Sequence, residues 1–159
     1  MSEKESLEIE RKFLVKSFNP KLASKFFRIV QGYITAEKTK TVRVRIKGEK
    51  GFITIKGQSS DDGLSRYEWE KEIPVSEVEA LLKLCEPGLI DKIRYEIPIG
   101  EHIYEVDIFE GDNKGLIVAE VELSSKDETF EKPDWLGNEV TGDNRYYNAM
   151  LMKTPFSKW

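Results

Sequence analysis

The sequence is poor in the residues that staple small proteins or lock them with metal. One cysteine, Cys85, excludes an internal disulfide framework, and with a single histidine, His102, no Cys/His zinc site can be assembled. A reducing, cytoplasmic setting is the expectation that follows. Long apolar runs are also missing. No segment has the length of a bilayer-spanning helix, and the charged stretch Met1 to Glu10 lacks the apolar centre of a signal peptide. Nor is there an excess of positive charge: 29 acidic residues against 25 basic ones leave a net charge of −4, with no global attraction for nucleic acid or an anionic membrane. Any anion site must be a local concentration of Lys and Arg.

What is present is charge itself, 34% of residues, in a chain of 159 residues that is 39% hydrophobic. That length and balance suit one globular domain, residues 1–159, with its core over 7–152. Alternation of apolar and charged residues marks strands at Leu7–Val15, Phe26–Thr35, Thr41–Lys47, Phe52–Lys56, Arg66–Ile73, Ile90–Ile97, His102–Phe109 and Leu116–Leu123. The turn at Gly48 to Gly51 joins the third and fourth as a hairpin. A short helical turn is expected at Lys21–Lys25 and a longer helix from Val75 to Cys85, opened by a Ser76/Glu79 capping box and ended by Pro87-Gly88. A second capping box, Ser125 with Glu128, predicts another short helix, and Asp143–Met152 a last one. Cys85 reads as a small packed hydrophobe and His102 as an exposed strand-end residue.

Eight strands with mostly short connections predict a mainly β, α+β fold, a closed and meander-like antiparallel barrel with a few covering helices, a size that can enclose one small ligand. The charges decide which face is inside. Cations gather at Arg43, Arg45, Lys56, Lys92 and Arg94, and carboxylates at Glu8, Glu10, Asp107, Glu120 and Glu122. A solvated face gains from interspersed signs, because like charges on neighbouring strands repel. Segregated clusters imply bound counter-charges: a polyanion on the basic side and divalent cations on the acidic side. The charged face is therefore expected to line the lumen, with the apolar exterior covered by helices. Carboxylate donors without His or Cys favour hard ions, Mg2+ or Mn2+, one or two of them. Lys47 shares the face of Arg43 and Arg45 but sits at a turn, where solvent is the expectation. Arg66, Glu68, Glu70 and Glu72 either extend the lumen or support its arginines.

Glu8-Ile9-Glu10-Arg11-Lys12 matches an ExExK signature, and TVRVRIKG, FITIKG, GLSRYEWEKEI, DKIRYEI, YEVDIFEG, VAEVEL and EVTGDNRYYN follow in order. In these motifs, from about Leu7 to Met152, the chain resembles the CYTH superfamily, the triphosphate tunnel metalloenzymes, and most of all its short bacterial members. The resemblance implies an eight-stranded tunnel that hydrolyses inorganic triphosphate to pyrophosphate and phosphate. Phosphate binding would fall to Arg43, Arg45, Lys56, Lys92 and Arg94, and metal binding to Glu8, Glu10, Asp107, Glu120 and Glu122. Lys12 would act as a proton carrier, base or leaving-group acid, with Tyr33 as its partner. The resemblance also implies a polyphosphate as the small-molecule partner and admits a homodimer. Class IV adenylyl cyclase, thiamine or nucleoside triphosphatase, and a non-catalytic polyphosphate-binding module are the alternatives. For a substrate with an organic ring, Trp69 and Trp135 are the candidate stacking partners.

Overall fold

The computed structural model describes residues 7–159; residues 1–6, the start of the charged N-terminal stretch, lie outside the described residues. The strands are β1 (Leu7–Val15), β2 (Lys25–Ala36), β3 (Lys40–Lys47), β4 (Lys50–Gly57), β5 (Ser65–Ile73), β6 (Ile90–Ile99), β7 (His102–Phe109), β8 (Ile117–Glu122) and β9 (Leu136–Glu139). Among the described residues two α-helices accompany them, α1 (Val75–Leu82) and α2 (Asn148–Lys153). The sheet runs β5-β4-β3-β2-β6-β7-β8-β1 and closes through β1 against β5, where Leu7 faces Tyr67, Glu8 faces Arg66 and Ile9 faces Ser65. Eight antiparallel strands thus form a closed barrel, as expected. The path is not a simple meander. Strand β2 pairs with both β3 and β6, and α1 carries the chain back over the exterior from β5 to β6.

The barrel is inverted. Lys12, Arg45, Lys56, Lys92, Arg94, Asp107 and Glu120 are each no more than 9% exposed, although they belong to residue types that rarely leave water. Their alternate neighbours point outward and need cover. On β7 and β8, Val106, Ala119 and Val121 are fully buried beneath Phe130, Trp135 and Leu136, and the Trp135 ring meets Tyr104 edge-on at 5.4 Å. On β2, β3 and β4 the cover is α1, which buries Val78 completely. Glycine makes that seat possible. A Cβ at Gly51 would lie 2.6 Å from Val78 Cγ2 and 2.7 Å from the Ile73 carbonyl, and one at Gly32 would lie 2.8 Å from Cys85 Sγ. A second cluster, with Tyr33, Ile90, Phe109, Leu116, Val118, Tyr146, Leu151 and Met152, joins the C-terminal segment to the barrel.

Several local expectations are corrected. Pro74, not Ser76, precedes α1, and its carbonyl accepts from Glu77 N and Val78 N, so Ser76 lies inside the first turn. The helix ends at Leu82 because residues 83–85 tighten into bonds from each N–H to the carbonyl three residues back. Cys85, only partly buried, packs on Gly32. No helix forms at Ser125: Glu128 reaches back to Ser124 N at 2.7 Å and also hydrogen-bonds His102, which is thereby partly buried rather than free at a strand end. The early turn is a 3-10 helix at Pro20–Leu22, and Asp143–Met152 splits into a 3-10 turn at Asn144–Tyr146 and α2. Strand β9 is additional, pairing with Phe13 and Val15 at the end of β1. Among the described residues no helix is long and apolar enough to cross a membrane.

Candidate functional site: a charged lumen

Register places the charges. Across β1 and β8, Lys12 faces Glu120 and Glu10 faces Glu122; across β7 and β8, Glu105 faces Glu120. Because β7, β8 and β1 are adjacent, these carboxylates form one wall. Across β3 and β4, Arg43 faces Thr54 and Thr41 faces Lys56; β6 brings Lys92 and Arg94 from the other side of β2. Those residues form the opposite, basic wall. Glu68 and Glu70 on β5 stand opposite Lys56 and Thr54. The enclosed cavity measures about 190 Å3.

Eleven of the twelve residues singled out from the sequence border this cavity: Glu8, Glu10, Lys12, Tyr33, Arg43, Arg45, Lys56, Lys92, Arg94, Glu120 and Glu122. Asp107 does not. It lies behind the basic wall, with Oδ1 2.7 Å from Arg94 Nε, Oδ2 2.8 Å from Arg94 Nη2 and Oδ2 2.8 Å from Lys92 Nζ. Residues outside those twelve also border it, Arg66 and Glu68 by the first of the two places open to them. Lys47 lines the cavity instead of facing solvent at its turn, and Arg66, Glu68, Glu105, Tyr147 and Asn148 join it. Alternation was the signal for Lys47, which continues the face of Arg43 and Arg45, and for Glu105, which precedes Asp107 by two. Glu70 instead supports the arginines, accepting from Thr54 Oγ1 at 2.6 Å and Arg45 Nη2 at 3.2 Å. Trp69 lies on the outer face of β5 and Trp135 packs on Tyr104, so neither borders the cavity.

The two walls perturb one another's proton affinity. Burial would raise the Glu8 carboxyl, but Lys56, 3.1 Å from both its oxygens, holds it well below the usual carboxylate range. Burial, with Glu120 and Glu8 nearby, pushes Glu10 well above that range, and Glu10 is hydrogen-bonded to Glu120. Glu120 itself stays low despite burial, because Lys12 attracts its charge. Burial, together with Glu8, moves Glu68 up to about 7. On the basic side burial, with Arg43 and Arg94 adjacent, brings Arg45 down to about 10; burial and Arg94, opposed by Asp107, bring Lys92 to about 8. Two donors of this wall, Arg43 Nε and Arg45 Nε, are buried with no acceptor among the described residues. A buried unpaired donor costs about 1–3 kcal/mol, more when charged.

Lys12 Nζ donates to the Tyr146 carbonyl at 3.4 Å, lies 3.7 Å from Glu120 Oε1 and sits 4.7 Å from the centre of the Tyr147 ring. The Tyr33 hydroxyl has Gln31 Nε2 at 3.3 Å. Among the described residues no hydrogen bond joins Lys12 to Tyr33, so the expected pair borders one cavity without direct contact. Past Tyr147 a second cavity opens, of about 710 Å3, sharing Thr41, Arg66, Tyr147 and Ala149 with the first.

Among the described residues no three His, Cys, Asp or Glu side chains form a ready-made metal cage. The cause is internal pairing: Glu8 turns to Lys56, and Asp107 to Arg94 and Lys92. The donor set still suits a hard cation, because Glu10 and Glu120 meet across a hydrogen bond with Glu122 on the same wall.

Known proteins share this architecture. The chain is 46% identical over 153 residues to a protein named inorganic triphosphatase from Acetivibrio thermocellus, covering 96% of this chain and 97% of that one. It is 40% identical over 149 residues to one of the same name from Nitrosomonas europaea, covering 91% and 95%. A crystal structure described as an inorganic triphosphatase superposes with a TM-score of 0.64 at 34% identity, covering 91% of this chain and 93% of the other. The CYTH domain matches residues 6–150, every barrel strand and the residues bordering the lumen among them, and the chain belongs to that family.

Proposed function

We propose that this chain hydrolyses inorganic triphosphate to pyrophosphate and phosphate inside the lumen, with a divalent cation. The observation that carries the reading is the lumen itself, where Arg43, Arg45, Lys56, Lys92 and Arg94 face Glu10, Glu120 and Glu122 across about 190 Å3. Pockets for drug-sized organic ligands are larger, about 300–1,000 Å3. A short inorganic polyanion suits the space and supplies the counter-charge that five cations on one wall call for. The names of the two curated relatives support the same substrate.

In this reading Arg43, Arg45 and Arg94 hold phosphate oxygens through planar donors that stay charged, and Lys56 and Lys92 add point charges. Glu10, Glu120 and Glu122, with Glu8 once Lys56 turns to phosphate, would hold Mg2+ or Mn2+. When bound, such an ion neutralises phosphate charge and makes water more acidic. Asp107 orients Lys92 and Arg94 and is not a ligand. Lys12, between Glu120 and Tyr147, is placed to hand a proton to the departing pyrophosphate oxygen as water attacks the terminal phosphorus. Positioning and charge neutralisation supply most of phosphoryl-transfer catalysis, which suits a site built of fixed charges.

A second reading, hydrolysis of a triphosphate carrying an organic group, is favoured by the cavity of about 710 Å3 beyond Tyr147. Phosphate release from tripolyphosphate, ATP and thiamine triphosphate, each with Mg2+, Mn2+ or chelator, separates the two, with cyclic AMP measured alongside. Preferential turnover of tripolyphosphate, abolished by chelation, is expected. Faster turnover of ATP or thiamine triphosphate would transfer the conclusion to the second reading. Tight tripolyphosphate binding without turnover under any metal would leave a binding module.

A further inference from the structure

The segment EVTGDNRYYN contributes one side chain that bonds directly to the basic wall. Asn148, the first residue of α2, borders the lumen, and its Oδ1 accepts from Lys92 Nζ at 2.8 Å. Lys92 is 1% exposed, and its ammonium carries three donors and no acceptor. Asp107 Oδ2 lies 2.8 Å from the nitrogen as an ion pair, and one N–H goes to Asn148. With two acceptors holding the nitrogen, its remaining donor capacity is turned away from them. Lys92 itself borders the lumen.

Asn148 is in turn held in place. Because an ammonium only donates, Asn148 must present its oxygen to Lys92, which settles the orientation of its amide. Gln31, fully buried, must then present Nε2, which lies 3.3 Å from Asn148 Oδ1 and leaves Gln31 Oε1 without a partner. Turned over, the Gln31 amide would set its oxygen against Asn148 Oδ1, oxygen to oxygen. The C-terminal segment is anchored nearby as well, through Leu151 and Met152 in the core and the Tyr146 carbonyl that accepts from Lys12.

The geometry points to Asn148 as a positioning residue for triphosphate hydrolysis, aiming the remaining N–H of Lys92 into the lumen. The inference rests on the proposed function. Asp107 alone would leave the ammonium free to swing about one bond, and Asn148 removes that freedom before substrate arrives. Preorganised donors act without reorganisation during reaction, which is where such placement contributes most.

A double-mutant cycle tests it. Asn148→Ala is expected to lower kcat/KM for tripolyphosphate at least tenfold in the native background and less than twofold beside Lys92→Met, because the asparagine then has nothing to aim. Equal losses in the two backgrounds would overturn the inference and reduce Asn148 to a structural residue of α2. Thermal unfolding of each variant accompanies the cycle. Should Lys92→Met not unfold cooperatively, Lys92→Gln, which removes the charge, closes the same cycle. If the unsubstituted chain released no phosphate from tripolyphosphate, the functional reading would fail by itself. The cycle is then run on the tripolyphosphate dissociation constant, where additive effects again overturn the role of Asn148.

Discussion

Asp107→Asn separates two accounts of one carboxylate. The family resemblance makes Asp107 a metal ligand, whereas the structure holds it with two charge-assisted hydrogen bonds from Arg94 and an ion pair with Lys92, the side chains of Asp107 and Lys92 2% exposed and that of Arg94 8%. Removing one partner of a buried ion pair typically costs about 3–5 kcal/mol, because the remaining charge stays buried. Here two cations would be left, and the amide of asparagine would turn a donor toward one of them. For a protein whose total stability is on the order of 5–15 kcal/mol, that is a large share. At roughly 2–4 °C per kcal/mol for a chain of this size, the midpoint of thermal unfolding should fall by roughly 6–20 °C.

Acid should expose the same group. The Asp107 carboxyl is buried, but Arg94 and Lys92 hold its proton affinity below the ordinary value of 3.8. Its contribution is therefore complete above the unfolded-state value and is lost as pH falls through the lower folded-state value. Resistance of the native chain to urea should fall in that acid window, and Asp107→Asn should remove this group's part of the decline. The metal concentration giving half-maximal hydrolysis is the discriminating assay. It should change less than threefold in Asp107→Asn. A variant that kept its unfolding free energy but needed tenfold more metal would refute the account and return Asp107 to the ligand set.

Arg45→Met should trade function for stability: it relieves repulsion with Arg43 and Arg94 and removes a buried unpaired donor, while Glu70 keeps Thr54 and Arg43. Tripolyphosphate kcat/KM should fall by about a hundredfold, the scale of a lost charge-stabilising donor, with an unfolding midpoint equal to or above that of the native chain; a clear drop in that midpoint would contradict the reasoning. Gly51→Ala should destabilise by about 1–3 kcal/mol through overpacking, because the added Cβ meets Val78 Cγ2 at 2.6 Å and the Ile73 carbonyl at 2.7 Å, and urea unfolding reads that loss directly. Metal and tripolyphosphate should each tighten the other's binding by the same factor, measurable by titration in both orders; independent binding would mean that the internal ion pairs do not oppose either ligand.

The strands and the inversion of the barrel were legible because both depend on local alternation and on where charge of each sign accumulates. TVRVRIK and DKIRYEI show their inward face at sight, and segregation of Arg43, Arg45 and Arg94 from Glu10, Glu120 and Glu122 has no explanation on a solvated surface. The chain path was not legible, since pairing of β2 with β6 depends on α1 crossing the exterior over Gly32 and Gly51, contacts distant in sequence. Strand β9, LGNE, has four residues and no alternation, and exists because the end of β1 offers an unpaired edge. Alternation also could not grade depth. It put Glu105 and Asp107 on one face correctly, yet only the neighbours Arg94 and Lys92 make the first a wall residue and the second a buttress. Lys47 was misplaced for the related reason that nearness to a turn outweighed its face.

A lumen of opposed charges must be stable before its ligands arrive, and the pairs present show how. Glu8 is held by Lys56, Glu70 by Arg43 and Arg45, Asp107 by Arg94 and Lys92, and Glu10 by Glu120. The first of these joins a proposed metal ligand to a proposed phosphate ligand. Triphosphate alone would draw Lys56 away and leave the Glu8 carboxylate buried without its partner; a cation alone would draw Glu8 away and leave Lys56 unpaired. Each ligand by itself therefore meets the cost of an orphaned buried charge, and only the two together give both Glu8 and Lys56 a new partner. A preference for metal-chelated triphosphate over either component is thus the expected consequence of the pairing within the barrel, set by the register that brings β1, β4 and β5 together.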